Sequence, residues 1–328
     1  MQYRMMGKTG YKVSEVSFGA WAIGGTWGEV DDAQSVAALE EAVEQGVNFF
    51  DTADVYGDGR SESIIGSWLR DNPDAGVTVA TKMGRRAKQL HENFVAENFR
   101  AWTDRSRRNL GVDTLDLVQL HCPPTAVFSN DEMFDALDAL VDSGAIANYG
   151  VSVETVDEAL AAIARPHVAS VQIIINAFRL KPLDAVLPAA AEAGVGIIAR
   201  VPLASGLLSG RYTHDTAFPA DDHRNFNRHG EAFDQGETFS GVDYAEGVEA
   251  AREFSALAEK AGLAPATAAL AWVAQLPGVS TVIPGARNVA QAEANAAAGS
   301  VPELGEEFTQ AIRELYDRRF RAAIHDRW

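Results

Sequence analysis

One unit recurs along this chain and limits its fold more than any other feature. It is a short β-branched apolar run, then a polar or glycine-containing turn, then an amphipathic alanine-rich helix. The strand candidates are residues 13–19, 47–52, 77–82, 115–121, 146–152, 170–176, 196–202 and 280–285, eight in all. Helical periodicity follows each, as in "DDAQSVAALEEAVEQG" (31–46), which opens on aspartates near the positive end of a helix and closes on a glycine. Apolar strands alternating with amphipathic helices imply parallel βα units, and eight such units predict a (β/α)8 TIM barrel. No linker-like or low-complexity segment divides the chain, so one domain is expected over 1–328. The opening "YRMMGKTGYKVS" carries a turn signal between two short runs and predicts an N-terminal β-hairpin closing the barrel floor. A C-terminal helix is expected after the last unit. The connection 211–243, after the seventh strand, is too long and polar for an ordinary barrel loop. Its phenylalanines, Phe218, Phe226, Phe233 and Phe239, favour a lid over disorder.

Composition narrows the function classes. With 328 residues, 47% apolar and 23% charged, the chain can bury a large core. A formal net charge of -18 argues against a nucleic-acid partner, because a phosphate backbone would meet repulsion over most of the surface. The single cysteine, Cys122, excludes an internal disulfide framework and every multi-cysteine zinc pattern, and no metal is expected. No apolar run has the length of a signal peptide core at the N-terminus or of a membrane span later. The expectation is a cytoplasmic protein with no membrane partner.

In a barrel of this kind the C-terminal ends of all strands share one face, where active sites are built. The second strand candidate runs into "DTADVYG", placing Asp51 and Tyr56 at that face. The third ends in Lys82 and the fourth in His121. The other lysines, at 8, 12, 88, 181 and 260, fall in turns or surface segments, so an ammonium closing an apolar strand needs a partner. Asp51 on the neighbouring strand is the expected counter-ion. A phenol titrates near ~10, and an adjacent ammonium favours its ionised form, so Lys82 is expected to lower Tyr56. A tyrosine so placed beside an imidazole suits proton transfer to a carbonyl oxygen as hydride reaches the carbon, or the reverse. Taken alone, the Asp51–Lys82 pair reads equally well as a structural ion pair at a strand end.

At Asp51, Tyr56, Lys82 and His121 the chain resembles the aldo-keto reductases, nicotinamide-dependent TIM-barrel oxidoreductases with a tetrad of aspartate, tyrosine, lysine and histidine. The resemblance extends through "SFGAWAIGG" (17–25), "FFDTADVYGDGRSE" (49–62), "LGVDTLDLVQLHCP" (110–123), "GAIANYGVS" (144–152), "PLASGLLSG" (202–210) and "IPGARNVAQAEAN" (283–295), covering essentially the whole chain. It implies NADP(H) binding, with NAD(H) possible, and no Rossmann glycine motif. By the resemblance, Ser152 and Gln172 would meet the carboxamide, with Asn176 close by. Pro202, Leu203, Ser205, Gly206, Leu208 and Gly210 would wrap the pyrophosphate. Gly285, Arg287, Gln291 and Asn295 would hold the adenosine end, Arg287 pairing with a 2′-phosphate. Two departures stand out: Val153 replaces an asparagine common in the family, and Arg200 replaces an aromatic that stacks on the nicotinamide. A planar guanidinium could stack there, or reach a phosphate or an acidic substrate.

The implied activity is reduction of aldehydes or ketones to alcohols, or the reverse, on a small-molecule substrate in contact with Tyr56, His121 and Trp21. Trp27, Met83 and Phe178 could also line a pocket or belong to the core. "DHRNFNRHG" (222–230) could clamp phosphates, solvate a loop or contribute to a lid. Two other functions compete. One is a regulatory nicotinamide-binding subunit resembling the potassium-channel β subunits. The other is an isomerase or aldolase using Lys82 as a Schiff base, against which the paired Asp51 argues, because a counter-ion keeps the amine protonated.

Overall fold

A computed structural model of the chain describes residues 1–25 and 31–328. The first elements are β1 (Tyr3–Met5) and β2 (Lys12–Ser14), an antiparallel hairpin whose turn places Gly7 and Gly10 at positive φ. Eight parallel strands follow in chain order: β3 (Phe18–Gly19), β4 (Phe49–Asp51), β5 (Thr78–Met83), β6 (Leu115–His121), β7 (Ile146–Ser152), β8 (Val168–Ile174), β9 (Gly196–Arg200) and β10 (Thr281–Val282). Parallel bridges from Val16 to Val282 and from Gly19 to Gly285 join the last strand to the first and close the ring. This is the (β/α)8 TIM barrel that the eight βα units predict.

The hairpin sits where the sequence places it. Met6 and Val13 pack with Phe49, Ala80, Leu117, Ile198 and Ile283, the lowest layer of inward side chains. Gly7 passes so close to β9 that a Cβ there would lie 2.2 Å from the Gly196 nitrogen. The strand candidate 13–19 divides in two: its start pairs within the hairpin and its end enters the barrel. Between them Ser17 folds back, its hydroxyl donating to the Ser14 carbonyl at 3.0 Å. The sixth barrel strand begins two residues earlier than the apolar run and releases Ile175 and Asn176 from the ladder, Asn176 instead bridging Arg179.

The helices follow local signals. Thr155 and Glu158 form a capping box at the start of Val156–Ile163, and proline occupies the first turn of Pro265–Gln275. The C-terminal helix, Gly305–Arg319, packs on Tyr244–Lys260, with Arg319 paired to Glu253 and Glu246. Among the described residues no helix is long and apolar enough to cross a membrane.

The segment 211–243 folds over the mouth as a lid with its own small core. Phe218 meets Tyr212, Phe239 and Tyr244 at centroid distances of 5.2, 5.7 and 6.1 Å. Of the two arginines in 222–230, Arg224 pairs with Asp222 and lies over Phe218, while Arg228 lies over Tyr244. Those arginines hold the lid together.

Candidate active site

Four barrel strands climb by two residues from the apolar floor to a polar rim, because alternate side chains share one face. Phe49 is followed by Asp51, Ala80 by Lys82, Leu117 by Gln119 and then His121, and Ile198 by Arg200. The register sets these groups side by side: Lys82 faces Gln119 across β5 and β6, His121 faces Ser152, and Ser152 faces Gln172. The Lys82 ammonium, with no exposed side-chain surface, donates to Asp51 Oδ1 at 2.5 Å and to the Thr52 carbonyl at 2.8 Å. It reaches the Tyr56 hydroxyl at 3.4 Å. Gln119 and Gln172 donate to the other Asp51 oxygen at 3.1 and 2.8 Å, which fixes the carboxylate from both sides. Tyr56 stands edge-on to His121 at 5.9 Å and is stacked under Trp21 at 6.0 Å. The four groups that the sequence points to therefore converge at one place.

Burial works against the Lys82 ammonium, but Asp51 and Tyr56 outweigh it and leave its pKa above the usual lysine value. For Tyr56 the expected lowering does not prevail. Burial pushes the phenol up, Lys82 opposes it, and the carboxylates of Asp51 and Glu237 add to the rise. Lys82 thus moderates the phenol without making it acidic. His121 is held well below the usual histidine range, first by burial and then by the cations of Arg85 and Lys82, so the ring is neutral. Its Nδ1 has no hydrogen-bond partner among the described residues. Burial pushes the Cys122 thiol up to about 12, the opposite of what a nucleophile needs.

Sequence reading missed four residues at this mouth. Gln119 was detectable, since it shares the inward face two positions before His121. Arg85, Glu154 and Glu237 come from three different loops, and no local pattern marks them. Arg85 Nη2 lies 2.9 Å from Glu237 Oε1, and Arg200 Nη2 lies 3.0 Å from Glu154 Oε2. Glu237 belongs to the lid, which also brings His223 and Phe233 against Trp21 at 5.1 and 6.3 Å. Met83 and Phe178 are buried in the core, Phe178 against Phe320. Trp27 lies outside the described residues.

The residues expected at a nucleotide lie along one side of the mouth. Gln172 spends its amide hydrogens on Asp51 and Gln119. Asn176 donates to Ser240 of the lid at 2.7 Å and to the Val201 carbonyl at 2.9 Å. Arg200 is buried and paired, and it donates to the Val153 carbonyl at 3.1 Å. After Pro202 and Leu203, the successive residues Ala204, Ser205 and Gly206 take φ of 47°, 54° and 98°. A left-handed run of this kind curls the backbone into a concavity suited to an anion, and the turn continues through Leu208 to Gly210. Ser205 also ties down the lid, its hydroxyl donating to the Glu237 carbonyl and accepting from Phe239 N, both at 3.0 Å. Gly285 and Arg287 are exposed before the helix Val289–Ala296, where Gln291 accepts from Arg287 N and Asn295 donates to the Gly285 carbonyl. The concave turn and a cation at a helix start fit a dinucleotide phosphate chain.

The aldo/keto reductase family model matches residues 15–317. An aldo-keto reductase of Bacillus subtilis is 30% identical over 301 residues, covering 90% of this chain and 87% of that protein. A probable voltage-gated potassium channel subunit beta of Arabidopsis thaliana is 31% identical over 323 residues, covering 93% of each. Among solved structures, a glycerol dehydrogenase of Gluconobacter oxydans superposes with a TM-score of 0.78 at 30% identity, covering 97% of this chain and 95% of that one.

Proposed function

The chain belongs to the aldo/keto reductase family, whose model spans residues 15–317, and from that premise we propose an NADP(H)-dependent oxidoreductase interconverting carbonyls and alcohols. The observation that carries this reading is the Tyr56 hydroxyl at 3.4 Å from the Lys82 ammonium, at the barrel mouth beside a neutral imidazole. A nicotinamide held by these residues would supply hydride in reduction and accept it in oxidation. Tyr56 keeps its proton at neutral pH because burial raises its pKa, so it is ready to donate to the oxygen of a carbonyl gaining hydride. Lys82 stabilises the phenolate left behind, and Asp51 keeps Lys82 charged. In the oxidative direction Tyr56 takes the alcohol proton back. Neutral His121 orients the substrate oxygen, and Trp21 with the lid residues His223 and Phe233 excludes water.

Ser152, Gln172 and Asn176 are assigned to the carboxamide side, the turn 202–210 to the pyrophosphate, and Gly285, Arg287, Gln291 and Asn295 to the adenosine end. Arg287 is the residue that would favour NADPH over NADH. The test is cofactor binding by tryptophan fluorescence quenching, followed by turnover with a panel of simple aldehydes and ketones. Binding with turnover is the expected result. The similarity to a channel subunit over 93% of both chains supports a second reading, a regulatory nicotinamide-binding subunit. Tight cofactor binding with no turnover on any carbonyl or alcohol would favour it.

A further inference from the structure

Beside the tetrad, the mouth of the barrel carries a second cluster of buried charge that the reaction above does not use. Glu237 Oε1 lies 2.9 Å from Arg85 Nη2 and 3.7 Å from Arg200 Nη1. Glu154 lies 3.0 Å from Arg200 and 3.9 Å from Arg85. The side chains of Arg85, Arg200, Glu154 and Glu237 retain only 22%, 9%, 15% and 7% of their exposure. Two guanidinium groups side by side, Arg200 buried and Arg85 half-buried, stand out in a chain whose net charge is -18.

The two carboxylates of this cluster are held differently. Arg85 and Arg200 hold the Glu237 carboxyl well below the usual range against the opposing effect of burial. Burial pushes the Glu154 carboxyl up to about 7, against the opposing pull of Arg200. The carboxylate nearest Arg85 is supplied by the lid, from 152 residues away in the chain. The other end of the same guanidinium, Nη1, lies 3.4 Å from His121 Nε2, the imidazole that faces the substrate oxygen. Arg85 therefore spans the distance from the reacting oxygen's position to a seat already shaped for a carboxylate.

We propose that Arg85 recognises a carboxylate carried by the carbonyl substrate, and that Glu237 of the lid holds this seat until such a substrate displaces it. The inference rests on the reductase reading and adds a substrate class, oxo acids whose carboxylate lies a few bonds from the carbonyl carbon. The physical reason is exchange. A buried guanidinium without a partner is costly, so the lid carboxylate satisfies Arg85 while the site is empty of substrate. Replacing one carboxylate by another keeps Arg85 paired while Arg200 retains Glu154, and the planar fork of arginine accepts either carboxylate bidentately. A neutral substrate offers no such exchange, and it must leave Glu237 in place or strip Arg85 of its partner. The preference is thus built from a gain for the acid and a loss for its neutral analogue.

The test compares para-carboxybenzaldehyde with its methyl ester, using NADPH and the full-length protein. The wild type is expected to favour the acid in kcat/KM by on the order of 100-fold. Arg85→Gln should bring that ratio close to one, and Arg85→Lys should restore part of it. A merely structural role would lower kcat/KM for both substrates in proportion and leave the ratio unchanged. Glu237→Gln should lower KM for the acid more than for the ester, because the competing carboxylate is gone. Equal kcat/KM for acid and ester in the wild type, or a preference that survives in Arg85→Gln, would overturn the proposal while leaving the reductase reading intact. Failure to reduce either compound or any other carbonyl would overturn both.

Discussion

The floor and the mouth of the barrel are built on the same strands only two residues apart, yet their chemistry is opposite. At the floor, Met6, Val13, Phe49, Ala80, Leu117 and Ile198 are fully buried apolar side chains, each stabilising the fold by the area it withdraws from water. At the mouth, Asp51, Lys82, Gln119, Gln172 and Arg200 are almost as deeply buried but polar or ionised. Such groups roughly break even on stability, since Coulombic attraction is offset by desolvation. The difference teaches that the floor sustains a mouth that could not hold itself together. Substitutions at the floor should be read in stability, and those at the mouth in chemistry, affinity or pH dependence.

The largest effect is expected from the smallest change. Tyr56→Phe removes one oxygen at the mouth, and kcat should fall by about 1,000-fold or more while NADPH binding stays nearly intact. Steady-state kinetics beside a fluorescence titration separate the two, and normal turnover by this variant would sink the assignment of Tyr56. Phe49→Ala, directly below Asp51, should cost about 3 to 5 kcal/mol in urea unfolding. Its folded fraction should keep most of the wild-type kcat. A variant that unfolded normally but lost turnover would break the division between floor and mouth. Arg287→Ala should weaken NADPH by roughly 10-fold to 100-fold and NADH far less, since only NADPH carries the 2′-phosphate. Equal losses for both cofactors would remove that contact.

The smallest effect is a dependence on pH. The Glu154 carboxyl is raised from 4.5 to about 7, so between those values the folded state keeps a proton that the unfolded chain has released. Its contribution to stability is therefore lost as pH rises through that window and is retained below it. Glu154→Gln should flatten the decline, measured as the difference between wild-type and variant urea curves at each end of the window. A variant curve parallel to that of the wild type would show that Glu154 does not titrate there.

Much of this arrangement was legible in the sequence. The eight βα units, the floor hairpin and the terminal helix follow from periodicity and turn chemistry, which act locally. Lys82 was legible because an ammonium closing an apolar strand needs a counter-ion, and Asp51 closes the neighbouring strand. The boundaries were less so: the first strand candidate breaks at Ser14–Ser17, where hydroxyl bonds turn a chain that apolar pattern alone would continue. The rise in the Tyr56 pKa was also hidden. Sequence names the ammonium beside the phenol, but not how much protein covers both.

The sequence by itself determined the barrel and the four groups at its mouth, because alternation along a strand sends every second residue inward and each strand ends at the same face. Only the tertiary structure decided what those groups meet. Arg85, Glu154, Arg200 and Glu237 belong to separate loops and strand ends, and they become one cluster when the ring closes and the lid folds over it. Their charges and burial are properties of that closure, since a side chain's ionisation depends on what lies around it in space, and nothing along 85–237 spells that out.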